Sequence, residues 1–357
     1  MPMKRLLCFF ALCCFSASAM AQEDDNMAYL FTNKLIFTKS GSDAINSLIA
    51  LLPVPMTHEY QTILKVYGNA GELIKERHYG NGMLYLNRSS LPSGQTEFFA
   101  EYYAQPIAVK TDFSQITEIK PYNTESEAYQ LHLGNCDIYI DTTNEDLRTI
   151  GDQLWKGSSD VLDYARRCYD YVTTHIEFDE FDDWHSLKRI LNKRVGGSAD
   201  LTTLYVNLLR YKGIPCRHNV CVSLSQYFHT FADFYLEGYG WIPVDIANKK
   251  LFPSGDYFGY YDGNCIVLSQ GIGYDVPIKN FEPIYILPTY YFTYTSRGDD
   301  CQVTAVQDLI NGGYSGIRPV ITTSVDSVSV NYDLNGRKVS DTYKGIVISK
   351  GKKYLKR

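Results

Sequence analysis

The sequence predicts an α+β protein in which an all-β sandwich precedes a block of helices and an antiparallel sheet, with a small β module at the end. Three observations carry that prediction. From about Met27 to Ile140, runs rich in Tyr, Val, Ile and Thr (TILKVYG, MLYLN, TEFFAEYYA, YQLHL) are separated by the turn clusters GNAG, YGNG and SSLPSG, as strands and tight connections require. The character changes at DTTNEDLRTIGDQLWKGSSDVLDYARRCYDYVTTHIEF, where Leu162, Ala165, Arg166 and Tyr169 share one helical face. Three strand-like segments then follow in CRHNVCVSL, FHTFADFYL and WIPVDIA. The expected layout is a signal peptide at 1–21, a β-sandwich at 22–148, the helix-and-sheet core at 149–295, a linker at 296–325 and a β module at 326–357.

The elements follow in chain order. Lys4 and Arg5 precede the apolar run LLCFFALCCF, and Ala19-Met20-Ala21 has the small-x-small pattern of a cleavage site. That run is shorter than the roughly 20 residues a membrane span needs, so the expectation is export, with no membrane span once the leader is removed. The residues before Cys13 and Cys14 make a poor lipid-attachment box. LLPVPMTHEYQTILKVYG should enter the sandwich as a proline-marked edge strand. Ser159 or Asp160 can cap the first long helix.

A second helix is written into VGGSADLTTLYVNLLRYKGIP, where Leu201, Leu204, Tyr205 and Leu208 form a stripe with one buried face. Gly213 followed by Ile214-Pro215 stops it. Turns at Asn335-Gly336 and Lys344-Gly345 mark the terminal β module.

With 357 residues, 45% of them hydrophobic and 21% charged, the composition is globular and large enough for two or three domains. The formal charge of -6 becomes 32 minus 40, or -8, without Lys4 and Arg5, which leaves no basic surface for a nucleic-acid partner. Six cysteines remain after cleavage, Cys136, Cys168, Cys216, Cys221, Cys265 and Cys301, far below the density of a disulfide scaffold. Cys216 and Cys221 fall on opposite faces of a strand. That argues against a metal site with His218 and for packed thiols. The DEFDD run at 179–183 reads as a solvated loop, and neither a metal nor a cofactor is expected. The thirty tyrosines are spread through every domain and read as residues of half-buried strands rather than a sugar-binding platform.

Three residues stand out as candidate chemistry. Ser198 opens the second helix, either as its N-cap or as a nucleophile on the positive end of the macrodipole. His229 and Asp245 share parity across a hairpin; with an odd-length loop, cross-strand pairs would sum to 474, which places the two side chains about 5 Å apart on one face. Each also has a plainer reading, as cap, packed histidine and turn former. A nucleophile at a helix N-terminus, with an imidazole oriented by a carboxylate, is a solution to acyl transfer.

GGSADLTTLYVNLLRYKGIPCR, FHTFADFYL and GWIPVDIAN together resemble the core of the bacterial transglutaminase-like superfamily, relatives of papain-like cysteine proteases and peptide N-glycanases. In that family Gly-x-Cys precedes the helix, Gly-Ile-Pro-x-Arg ends it, a His opens the next strand and Gly-Trp-x-x-x-Asp follows. Gly213, Ile214, Pro215, Arg217, His229, Gly240, Trp241 and Asp245 match. The resemblance spans residues 150–295 and implies a papain-like fold with Ser198, His229 and Asp245 at the catalytic positions. The sandwich with its LLPVP…Q phrase resembles the β domain often found ahead of this core. The tail YDLNGRKV…KGIVISKGKK resembles the sorting or anchoring module of Gram-negative exported proteins, implying periplasm, outer-membrane surface or secretion.

The departures bear on activity. Ser198 stands where the family has its nucleophilic Cys, Ala199 where an acidic residue is usual, and Phe231 where Trp usually falls two residues after the His. A thiol with a pKa of about 8.5 can be pulled below 7 at a helix N-terminus beside an imidazolium. A serine hydroxyl cannot, and needs a neutral imidazole to take its proton. Cys216 cannot stand in, since it lies about 20 Å from the helix start at 1.5 Å per residue. The expectation is a catalytically weakened module binding a peptide or protein ligand in its cleft. The alternatives are an active Ser-His-Asp hydrolase or acyltransferase, and a structural or adhesion protein.

Overall fold

A computed structural model describes residues 28–314 apart from 70, 180–183, 225–227, 280–283 and 286–289, and, near the C-terminus, 331–332, 338–339, 345–349 and 352–356. The expected signal peptide and the DEFDD run beyond Asp179 lie outside the described residues. The chain divides into two units, 1–318 and 319–357.

The sandwich is built from β1 (Tyr29–Ser40), β2 (Ala44–Val54), β3 (Gln61–Gly68), β4 (Glu72–Lys75), β5 (Gly82–Arg88) and β6 (Gly94–Pro106). Buried and less buried residues alternate along β1, the period-2 pattern of a strand with one face on a core. That face places Leu35 and Phe37 against Leu48 and Leu52 of β2, Leu84 and Leu86 of β5 and Phe98 of β6.

Two expectations are corrected in this half. Within the segment expected as a linker at 296–325, the described residues 296–314 belong to the sandwich, because two late strands close it. Tyr291–Arg297 pairs with β2, and Gln302–Tyr314 pairs with β1 through Ile36↔Val306. The sheets therefore run Gln302–Tyr314, β1, β6, β3 and Tyr291–Arg297, β2, β5, β4. The second correction is partial: in LLPVPMTHEYQTILKVYG the prolines fall at the end of β2, an interior strand, while QTILKVYG forms β3, which is an edge strand as expected. Pro53 pairs with Met83 of β5 on one side, and on the other the neighbouring strand pairs only as far as Leu51, so no strand on that side calls for an N–H from Pro53.

The core follows with helices α1 (Glu145–Lys156), α2 (Val161–His175), α3 (Leu187–Lys193), α4 (Ser198–Tyr211) and α5 (Ile246–Leu251). Its sheet comprises β7 (Cys216–Ser223), β8 (Phe228–Leu236), β9 (Gly240–Val244) and β10 (Cys265–Gln270), ordered β9-β8-β7-β10 and antiparallel throughout. α4 is buried on every side from Asp200 to Arg210, so the expected single buried face becomes a fully enclosed helix. The other helices cover one side of it and β7 and β8 the other. Among its enclosed polar residues, Asn207 donates to Tyr139 O and Thr203 O at 2.8 Å each. The helix ends as the sequence predicts, with Gly213 at φ 72° and Ile214 N bonded back to Leu209 O at 3.1 Å.

The sandwich docks onto the core sheet through polar anchors. Gln61 acts as a short piece of strand, its amide donating to Val267 O at 2.7 Å and accepting from Val267 N at 2.8 Å. Arg217 is buried between Asp233, at 2.9 and 3.0 Å, and Glu59, with its guanidinium 3.9 Å from the Trp241 ring centre. Tyr60 OH completes the cluster by donating to Asp233 at 2.9 Å.

In the second unit, Lys338–Val339, Asn331–Tyr332, Gly345–Ser349 and Lys352–Lys356 form a four-stranded antiparallel sheet in that order. No helix among the described residues is long and apolar enough to cross a membrane.

Candidate active site

The start of α4 is tightly built. A Cβ on Gly196 would fall 2.4 Å from Asp200 Cβ and Oδ2, so only glycine lets the chain pass there. Gly197 is the N-cap and provides no side-chain cap, so Ser198 is not the capping residue. Ser198 is the first helical residue and half-buried, and no hydrogen bond among the described residues uses its hydroxyl.

Asp200, in the first turn, is fully buried and accepts His185 N at 2.7 Å and His185 Nδ1 at 2.8 Å, with Arg189 at 4.0 Å. A carboxylate in a first turn is favoured by the helix dipole. Sequence reasoning missed Asp200 and His185; the available signal was an acidic residue two places after the serine at a glycine-led helix start. One turn on, Thr203 Oγ1 accepts from Trp184 Nε1 at 2.9 Å and lies 3.0 Å from His218 Nε2. Burial, reinforced by the Arg210 charge, pushes His218 down to about 3, so it stays neutral.

His229 and Asp245 meet, but by a different register from the expected one. β8 and β9 pair as Leu236↔Gly240 and Ala232↔Val244, so partner numbers sum to 476 rather than 474. The connection spans residues 237–239, with Gly238 and Gly240 at φ 84° and 89°, and carries β8 further than the sequence suggested. Asp245 then leaves the strand and caps α5, its Oδ1 accepting Asn248 N at 2.9 Å. Parity is unchanged by a two-residue difference, and β9 stops at Val244, which leaves the flank of His229 open to the carboxylate. Nε2 of His229 donates to Asp245 Oδ2 at 2.7 Å, and Asn248 Nδ2 donates to the same oxygen at 2.8 Å.

Both groups are buried, at 5% and 2% exposure. Burial alone would lower the His229 pKa; the Asp245 carboxylate overrides it through charge and hydrogen bond, with Cys265 and Asp262 adding to the effect, and carries it up to about 9.

The start of α4 abuts the strand that carries His229. Thr202, one turn beyond Ser198 on the same stripe, donates to Thr230 O at 3.2 Å, and the two threonine hydroxyls are 3.2 Å apart. Alternation along β8 points Thr230 at the helix and His229 to the opposite face, where Phe231 packs with Tyr60, Cys221 and Cys265. No hydrogen bond among the described residues joins Ser198 to His229. Cys216 and Cys221 fall in separate packing clusters on the two faces of the sheet.

A helix led by a candidate nucleophile, packed against an antiparallel sheet that carries a bonded His and Asp, is the papain-like arrangement. The profile of the transglutaminase-like superfamily matches residues 148–246, and this stretch is a transglutaminase-like domain holding Ser198, His229 and Asp245. Among solved structures, one from Cytophaga hutchinsonii, provisionally assigned as a cysteine protease, is 14% identical, covers 87% of this chain and 96% of its own, and has a TM-score of 0.52. At that identity the likeness is one of fold alone. The periplasmic domain of TgpA from Pseudomonas aeruginosa is 11% identical, with 65% of this chain and 91% of that one covered and a TM-score of 0.33, too slight a likeness to build on. No curated protein matches the sequence.

Proposed function

We propose that this is an exported transglutaminase-like protein whose domain is catalytically silent at neutral pH and holds a peptide-like ligand in its cleft. The reading of silence rests on an oxygen, not a sulfur, at position 198 and on an imidazole at position 229 that Asp245 favours in its protonated form. An imidazolium is the right partner for a resident thiolate but cannot accept a serine proton. The peptide-like ligand rests on the provisional protease assignment of the Cytophaga structure. Export rests on the leader at 1–21, and the tail at 326–357 would serve sorting or anchoring, placing the protein in the periplasm, at the outer-membrane surface or outside the cell.

Two measurements test the silent site. A serine-directed fluorophosphonate should leave the protein unlabelled at neutral pH; labelling that vanishes in Ser198→Ala would establish the active Ser-His-Asp reading instead. In Ser198→Cys the new thiol should be alkylated at a pH well below the usual thiol range of about 8.5. A thiol of ordinary reactivity would mean that His229 does not serve the helix end.

A further inference from the structure

A cavity of about 300 Å³ lies where the sandwich meets the core sheet. Its walls come from Tyr79 on the β4–β5 connection, Glu127 and His132 on and just beyond the short helix Glu127–Leu131, Arg217 of β7, Trp241 of β9 and Gln270 of β10. None of Ser198, His229 and Asp245 lines it. Arg217 pairs with Asp233 across β7 and β8, and Asp233 is four residues along β8 from His229, about 13 Å at 3.3 Å per residue. The cavity is therefore separate from the candidate active site. It is at the small end of ligand pockets and equals about ten water molecules at roughly 30 Å³ each.

Three rings give it flat walls. Tyr79 stacks on His132 at 5.2 Å between centroids, and His132 meets Trp241 edge to face at 5.0 Å and 87°. Tyr79 is fixed at both ends, its N–H donating to Glu76 at 2.7 Å and its hydroxyl to Ile272 O at 2.9 Å, so the corner is preformed. His132 is 5% exposed, and its Nδ1 has no hydrogen-bond partner, which is uncommon for a buried polar atom. Burial, with the charges of Arg217 and Arg210, holds this imidazole well below the ordinary histidine range, so it is neutral. The cationic group on the wall is Arg217. Asp233 and Glu59 take its Nε and Nη2, while no hydrogen bond among the described residues uses Nη1.

We propose that this cavity binds a small carboxylate carried on a single flat ring, with the carboxylate on Arg217 Nη1 and the ring in the corner of Tyr79, His132 and Trp241. A guanidinium N–H on a carboxylate is among the stronger hydrogen bonds, and flat rings pack well against aromatic walls. Glu127 is exposed at the mouth and opposes the anion. The site is independent of the reading given for Ser198. Its ligand is either a free ring acid or the C-terminal carboxylate of a peptide ending in an aromatic residue.

The test titrates the full chain with 3-phenylpropionate by calorimetry and follows the His132 ring signals by NMR. The expected result is saturable binding, millimolar or tighter, that shifts His132. 3-Phenylpropionamide, which lacks the charge, should bind about ten-fold more weakly. Glu127→Gln should tighten binding of the acid by about two-fold, and Tyr79→Leu should weaken it by about five-fold. A Gly-Gly-Phe peptide that binds as well as the acid would identify a chain terminus as the ligand, and one that fails to bind would identify the free acid. No saturation by about 10 mM, equal binding of acid and amide, or binding that leaves His132 unmoved would overturn the proposal. These wild-type comparisons decide the matter even if Tyr79→Leu fails to fold.

Discussion

Replacing Asp245 with Asn tests the electrostatic basis of the proposed silence with little disturbance of shape. Asn caps helices as well as Asp does, so the bond to Asn248 N at the start of α5 survives, while the charge facing His229 is removed. The shift of His229 from 6.5 to about 9 is worth on the order of 3 kcal/mol at 1.36 kcal/mol per unit. The folded-state value lies above the unfolded one, so this contribution is complete below pH 6.5 and is lost as pH rises through about 9. Asp245→Asn should be destabilised by about 3 kcal/mol near pH 6.5, with the gap to wild type closing by about that much by pH 10. NMR titration of the His229 ring should move from a midpoint near 9 to one below 6.5, because burial then acts unopposed. A wild-type midpoint at or below 6.5, or a denaturation gap that ignores pH, would refute both the pairing energy and the reason given for an idle serine.

Three further outcomes follow from the same structure. Gly196→Ala must displace the buried Asp200 carboxylate and should cost about 1–3 kcal/mol in chemical denaturation; wild-type stability would show that Asp200 is not packed there. Thr203→Val strips the partner from Trp184 Nε1 and His218 Nε2 and should cost about 1–3 kcal/mol for each stranded group. Thr203→Ser, which keeps the hydroxyl, should recover most of that loss. On the acid side, burial holds His58 at about 4 and His218 at about 3, below the unfolded value. Their stabilising effect is whole above pH 6.5 and falls as pH drops, by up to about 1.4 kcal/mol per pH unit for each ring, so His218→Gln should flatten the acid limb of the stability curve.

The helix-and-sheet core was legible because its signals are local. The Leu201–Leu208 stripe, the Gly213 stop and the shared parity of His229 and Asp245 each need only a short window of sequence. Parity survived a register error that the arithmetic did not, since moving a hairpin by two residues returns every side chain to its face. The closing strands of the sandwich were illegible for the opposite reason. Gln302–Tyr314 alternates as a strand should, but its partner β1 lies some 270 residues earlier, as in Ile36↔Val306, and nothing local announces a pairing that distant. Asp200 was missed because an acidic residue in a helix's first turn is ordinary; its burial under His185 appears only when α3 and α4 are brought together.

A bonded His229–Asp245 pair in the same domain as Ser198 invites the view that the pair is kept for chemistry. The bonds of Asp245 supply a different reason for keeping it. This carboxylate caps α5 through Asn248 N, takes a second bond from the Asn248 side chain and neutralises a buried imidazolium. Removing either partner leaves an uncompensated charge in the interior, at a cost of about 3–5 kcal/mol, comparable with a third of the stability of an ordinary domain. Folding alone therefore suffices to retain both residues once they are paired, whatever stands at position 198. Ser198 has no such anchor: its hydroxyl neither caps α4 nor bonds to His229, so its replacement is nearly free for the fold. The activity question thus rests on the one residue of the three that stability does not constrain. Reactivity at Ser198, before and after its conversion to Cys, is more informative about function than the loss of either partner, which would unsettle the fold and the site together.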